Sequence, residues 1–172
     1  AVQESFSEIM QRDEISGKSL LQLEAIKVYV RKLLELDMRS AAAIPGRVFM
    51  ISHLEHELTA NLALPDVNPQ MIFVKGKIDR IDRQNASVRI IDYKSSVKQG
   101  DRFDFTGFEP LFHDPGYDKL LQLFIYSWLA WKNNLAAAHE LRPCIIPFKV
   151  FMDEPKTITS GKQPFVFSDA VL

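Results

Sequence analysis

Asp79, Asp92 and Lys94 are of the types that can hold a hard cation against a phosphate. Asp92 and Lys94 stand two apart in an apolar run, so on an extended chain both side chains leave the same face. Val88 and Ile90 share that face, and the two charges continue an apolar row. A carboxylate and an ammonium there are costly unless they pair with or bind something. Asp79 belongs to the preceding run, Gly-Lys-Ile-Asp-Arg-Ile-Asp at 76–82. Between the runs, Arg-Gln-Asn-Ala-Ser has the composition of a turn, which predicts a hairpin. That hairpin would carry Asp79 across towards Asp92 and Lys94. Two carboxylates beside one lysine suit a divalent cation that prefers oxygen ligands. On spacing alone a second reading stays open, in which Asp92 and Lys94 are a solvated face of an edge strand.

The full set narrows the choice. Gly76, Asp79 and the Asp92-Tyr93-Lys94 triplet, followed by Gln122-Leu-Phe-Ile-Tyr126, resemble the PD-(D/E)xK nuclease superfamily, in particular its RecB/AddB-like branch. The resemblance runs from about Glu57 to Trp131. It implies an α/β fold with a restriction endonuclease-like core, a mixed central sheet flanked by helices. It implies a Mg²⁺- or Mn²⁺-dependent (exo)deoxyribonuclease, with Asp79, Asp92 and Lys94 catalytic. The metal would be held by Asp79, Asp92 and the backbone carbonyl of Tyr93. Glu57 matches a glutamate that often precedes the first sheet strand in the family, and its role as ligand or structural partner is open. Gln122 and Tyr126 would face the site and the nucleic acid. Many members of the branch add a histidine ligand from an upstream helix, but no histidine precedes His53 here. By analogy with the branch, the setting would be DNA repair or recombination beside a helicase, either in the same polypeptide or as a subunit. A non-catalytic DNA-binding or protein-interaction scaffold with the same fold is the alternative.

Composition bounds these expectations. The chain has 172 residues, 47% of them apolar, enough for one nuclease-like domain over 1–172. The net charge of −1 does not announce a nucleic-acid partner. Locally, from 75 to 102, eight basic residues (Lys75, Lys77, Arg80, Arg83, Arg89, Lys94, Lys98, Arg102) face four acids (Asp79, Asp82, Asp92, Asp101). Such a field would attract a phosphate backbone, with Lys98 and Arg102 placed to contact it. The single cysteine, Cys144, allows no internal disulfide, cannot supply the four ligands of an iron–sulfur cluster, and reads as a buried structural thiol. No run approaches the roughly 18 apolar residues of a membrane span, and no signal peptide is evident, so a cytoplasmic, membrane-free location is expected. The sequence opens at Ala1 inside a helical pattern, which predicts a C-terminal piece of a longer protein.

The remaining pattern supplies the elements that must position these residues. Helices are predicted at 2–13, with Phe6, Ile9 and Met10 inward, and at 18–39, with Leu20, Leu21, Leu23, Ile26, Val28 and Leu34 among the packed residues. Gly17-Lys18-Ser19 is not a P-loop, because Arg12 stands where its first glycine should be. A linker follows at 41–46. Alternation predicts a long half-buried strand or strand pair over 47–64, with His53 and His56 on opposite faces. A turn is expected at 64–69, and Gly76 should admit another backbone or the substrate. A long connection without regular structure is expected at 95–116. A helix at 117–138, an apolar strand at 142–152 and a last edge strand at 163–168 complete the series.

Overall fold

The computed structural model describes residues 1–10, 16–42, 49–63, 71–148 and 155–172. The chain forms two compact units, Ala1–Pro45 and Gly46–Leu172. The first holds α1 (Val2–Met10) and α2 (Lys18–Ala42), with Gly17 at φ +57° immediately before α2. Phe6 is buried as expected, but Ile9 is exposed. Along α2 only Ser19 and Leu23 are buried, while Leu20, Leu21, Ile26, Val28 and Leu34 are exposed, contrary to the expectation. The apolar residues of α2 spread around its circumference, and a pair of helices covers only one stripe. The predicted linker at 41–46 lies mostly outside the described residues, as does the turn at 64–69.

The second unit is built on a five-stranded mixed sheet in the order β1-β2-β3-β4-β5. Its strands are β1 (Phe49–Ala63), β2 (Met71–Gln84), β3 (Ser87–Lys94), β4 (Leu141–Pro147) and β5 (Lys156–Thr157). The β1–β2, β2–β3 and β4–β5 pairs are antiparallel, and β3–β4 is parallel. A parallel pair needs a crossover, and the segment between β3 and β4 provides it. It contains α3 (Glu109–His113) and α4 (Asp118–Lys132). This is the expected α/β, restriction endonuclease-like arrangement. The β2–β3 turn is only Asn85-Ala86, and Asn85 takes φ +54°, a conformation asparagine tolerates better than most residues.

The core lies between the sheet and α4. Ile78, Ile81, Val88, Ile90 and Ile145 pack in one cluster with Leu120, Leu123, Phe124 and Leu129 of the helix. Gly76 is cut to fit this layer. A Cβ there would lie 2.7 Å from Leu129 Cδ1 and 3.1 Å from Tyr126 Cε1. What approaches Gly76 is therefore a pair of α4 side chains, in place of the expected backbone or substrate.

Other expectations need correction. α4 ends at Lys132, well short of 138, where Asn133 caps it and Asn134 turns the chain at φ +56°. The 95–116 connection is structured as well. Beyond α3 it is pinned to β6 (Thr159–Ser160) by a bridge at Asp104 and by Phe105 N–H donating to Thr159 O at 2.6 Å. Phe105, Phe124, Phe165 and Phe167 clasp one another around it. The predicted last strand is only β7 (Gln163–Pro164), paired with β6 in a separate two-stranded sheet. The 142–152 strand is visible as far as Pro147 and is central, as its composition demanded; residues 149–154 lie outside the described set. Finally, His53 and His56 do not point apart. Their rings lie 4.2 Å from each other, because a register shift at Ile51/His53 and the positive φ of Glu55 break the alternation of β1.

Candidate active site

Asp92 is the fixed point of the site. It lies near the end of β3, between β2 and β4, and is almost completely buried. Two contacts hold its carboxylate, one from its own strand and one from α4. Lys94 Nζ donates to Oδ1 at 3.1 Å and lies 2.8 Å from Oδ2. Gln122 Nε2 donates to Oδ1 at 3.2 Å and is 2.8 Å from Tyr126 Oη. Spacing accounts for the Asp92–Lys94 and Gln122–Tyr126 contacts, since two residues on a strand share a face and four on a helix share one. Asp79, half-buried on β2, turns its Oδ2 to the backbone N–H of Tyr93 at 2.6 Å. Its carboxylate is thereby tied to the residue between Asp92 and Lys94. Asp79, Asp92, Lys94, Gln122 and Tyr126 are therefore brought together.

The electrostatics of Asp92 are those of a strained site. Burial pushes its pKa above the ordinary carboxylate value; Lys94 opposes this, and the nearby Asp79 charge adds to the rise. Oδ2 has an ion-pair contact with the Lys94 ammonium at 2.8 Å and no hydrogen-bond donor among the described residues. A buried carboxylate oxygen left in this state, with a second acid beside it, suits a cation. No cluster of three or more His, Cys, Asp or Glu able to hold a metal occurs among the described residues. Two carboxylates with a backbone carbonyl fit an ion that keeps several waters, as Mg²⁺ does, better than one needing a full protein cage.

The other expected residues lie elsewhere. Glu57 is exposed on β1 and pairs with Lys75 at 3.0 Å; its neighbour Leu58 takes the inward position. The structure does not bring Glu57 into the Asp92 cluster. Lys98 is exposed, and its backbone N–H donates to Asp101 Oδ2 at 2.5 Å. Arg102 pairs with Asp114 at 3.1 Å and lies over the Tyr117 ring. The local basic excess is also smaller than the count suggested. Lys75 and Lys77 meet Glu57 and Glu55, and Arg80 and Arg89 both meet Asp82.

Two features went unread in the sequence. One is the buried Arg80–Asp82–Arg89 cluster; counting outward from the Asn85-Ala86 turn would have paired Asp82 with Arg89. The other is Lys119, one turn before Gln122, whose charge also acts on Asp92. Cys144 is buried as expected, and burial pushes its thiol to about 12.

The family model of the PD-(D/E)XK nuclease superfamily matches residues 1–163. The chain belongs to the PD-(D/E)XK nuclease superfamily. Membership implies a nuclease, a hydrolase of phosphodiester bonds, and members of the superfamily use divalent metals such as Mg²⁺. No curated protein is similar enough to count as a relative. No helix among the described residues is long and apolar enough to cross a membrane.

Proposed function

We propose that this chain is a RecB/AddB-like nuclease domain that hydrolyses DNA phosphodiester bonds, as a Mg²⁺- or Mn²⁺-dependent exodeoxyribonuclease. One observation carries the reading: a buried Asp92 carboxylate shared by Lys94 and Gln122, with Asp79 tied to the adjoining peptide. Asp79, Asp92 and the Tyr93 carbonyl would hold the ion. When bound, the ion supplies neutralisation of the phosphate charge and a lowered pKa for the attacking water.

The protein's own groups do the rest. Lys94, on the Asp92 carboxylate, orients the water and offsets charge gathering on the phosphate. Gln122 holds Asp92 in one rotamer through Oδ1, and Tyr126 supports Gln122. Both then line the path of the strand being cut, while Lys98 and Arg102 sit on the loop leading away from Lys94. The RecB-like motif order supports a place in repair or recombination beside a helicase region or subunit. The single buried cysteine is compatible with a reducing cytoplasm.

The experiment is cleavage of a labelled DNA with Mg²⁺ titrated in. Asp92→Ala and Lys94→Ala should each lower the rate by at least about 10³-fold, roughly 4 kcal/mol, with folding retained. Wild-type rates in either variant would end the assignment. Calorimetry separates it from the scaffold alternative, which predicts no Mg²⁺ or Mn²⁺ binding.

A further inference from the structure

Beside the Asp92 cluster lies a second cation that no step above uses. Lys119 sits in the first turn of α4, three residues before Gln122 and seven before Tyr126, so the three share one helix face. Gln122 touches Asp92, which puts Lys119 one helical turn, about 5 Å along the axis, from the residue that holds the carboxylate. The Lys119 side chain is largely buried. Its Nζ lies 2.7 Å from Asp101 Oδ2, with the two side chains 18% and 9% exposed.

Packing alone is a poor account of this pair. A cation in the first turn of a helix works against the positive end of the helix dipole. Removing both ions from water costs several kcal/mol per ion, and an apolar pair of similar volume often does as well. Yet the surrounding chain is built to hold Asp101 still. Its Oδ2 also accepts from Lys98 N–H, and its own N–H donates to Lys98 O at 3.1 Å. Arg102 N–H donates to Gly116 O at 2.8 Å, and a Cβ on Gly116 would fall 2.8 Å from Gly100 O. Burial favours the neutral acid at Asp101, but the hydrogen bonds from Lys119 and Lys98 N–H outweigh it and hold its pKa below the ordinary value. Asp101 thus stays an anion. An ammonium has three donors, and the Asp101 contact occupies one.

We infer that Lys119 is a second phosphate-binding residue of the site, donating to a non-bridging oxygen of the phosphate next to the one cleaved, and that Asp101 is a positioning residue that orients it. The inference rests on the nuclease reading and divides the work between two lysines. Lys94 is bound to the carboxylate that would hold the ion and acts on the reacting phosphate. Lys119 is bound to a carboxylate outside that set and holds the strand. The N-terminal end of α4 adds its field to the same anion.

The test is binding of a labelled single-stranded oligodeoxynucleotide with Ca²⁺ in place of Mg²⁺, over a range of salt, together with steady-state cleavage in Mg²⁺. Lys119→Met should weaken binding about tenfold, raise KM, leave kcat nearly unchanged, and cut the slope of log affinity against log salt by about one. Lys119→Arg should keep the slope. Asp101→Asn should weaken binding with the slope retained. Because Lys119→Met leaves a buried carboxylate unpaired, the double variant Lys119→Met, Asp101→Asn serves as the folded control and should show the same loss. Wild-type affinity and slope in the folded double variant would overturn the inference while leaving the nuclease reading intact. A wild-type protein that neither binds nor cleaves would sink the nuclease reading and this inference with it.

Discussion

Two buried aspartates ten residues apart meet opposite treatment. Asp82 on β2 is fully buried and takes Arg89 Nε at 2.7 Å, Arg89 Nη2 at 2.8 Å and Arg80 Nη2 at 2.7 Å. Both guanidinium groups also lie over the Phe49 ring, at 5.6 and 5.7 Å. Asp92 is nearly as buried, but it is held by one lysine, 3.1 Å from Oδ1 and 2.8 Å from Oδ2, and by a neutral amide on Oδ1. The forked guanidinium matches a carboxylate bidentately and leaves little to offer a newcomer. A lysine is a single mobile charge that can shift when an ion arrives. Burial is nearly the same at both positions; two guanidinium groups against one ammonium and an amide separate an anchor from a site.

The sharpest way to break this contrast is Asp82→Ala. Loss of the shared carboxylate from the Arg80–Arg89 cluster should cost about 3–5 kcal/mol in urea unfolding while leaving metal affinity of the folded fraction unchanged. A milder change than 1 kcal/mol would mean that Asp82 is no anchor. Next in size is Gly76→Ala. The new methyl overlaps Leu129 Cδ1, and overpacking of this kind costs about 1–3 kcal/mol. Because Tyr126 is pushed too, cleavage should fall beyond what stability explains; unchanged kinetics would detach Gly76 from the site.

A third test uses pH. The folded pKa of Asp92 is raised, so between the ordinary carboxylate value and that raised value the folded state binds more protons than the unfolded. The stabilisation is present below the unfolded pKa and is lost as pH rises through the folded one. At neutral pH without metal, Asp92→Asn should therefore be the more stable protein, and saturating Mg²⁺ should reverse the order. If Asp92→Asn is less stable in metal-free buffer, then Asp92 is as satisfied as Asp82. The smallest effect belongs to Glu57→Ala. Its exposed pair with Lys75 is worth about 0–1 kcal/mol, and Mg²⁺ affinity by calorimetry should not change. A tenfold loss would return Glu57 to the ligand set.

Much of the site was legible because its residues sit at short, regular spacings. Asp92 and Lys94 share a strand face, Gln122 and Tyr126 share a helix face, and a two-residue turn places Asp79 beside Tyr93. Period-2 and period-3.6 geometry is local, so a reader of the chain can compute it. Misreadings came where local rules were broken. The positive φ at Glu55 brought His53 and His56 together, and the Asn133-Asn134 turn ended α4 early. The 95–116 segment became ordered by contacts with residues more than forty positions away.

The sequence by itself determined the hairpin, the shared face of Asp92 and Lys94 and the shared face of Gln122 and Tyr126, because strand and helix periods dictate which side chains lie together, and its motif resemblance implied the α/β class. Only the tertiary structure decided that Gln122 meets Asp92, that Lys119 meets Asp101 and that Glu57 turns outward. Those contacts depend on where a helix crosses a sheet and on how a loop folds back, and packing sets both through residues far apart in the chain.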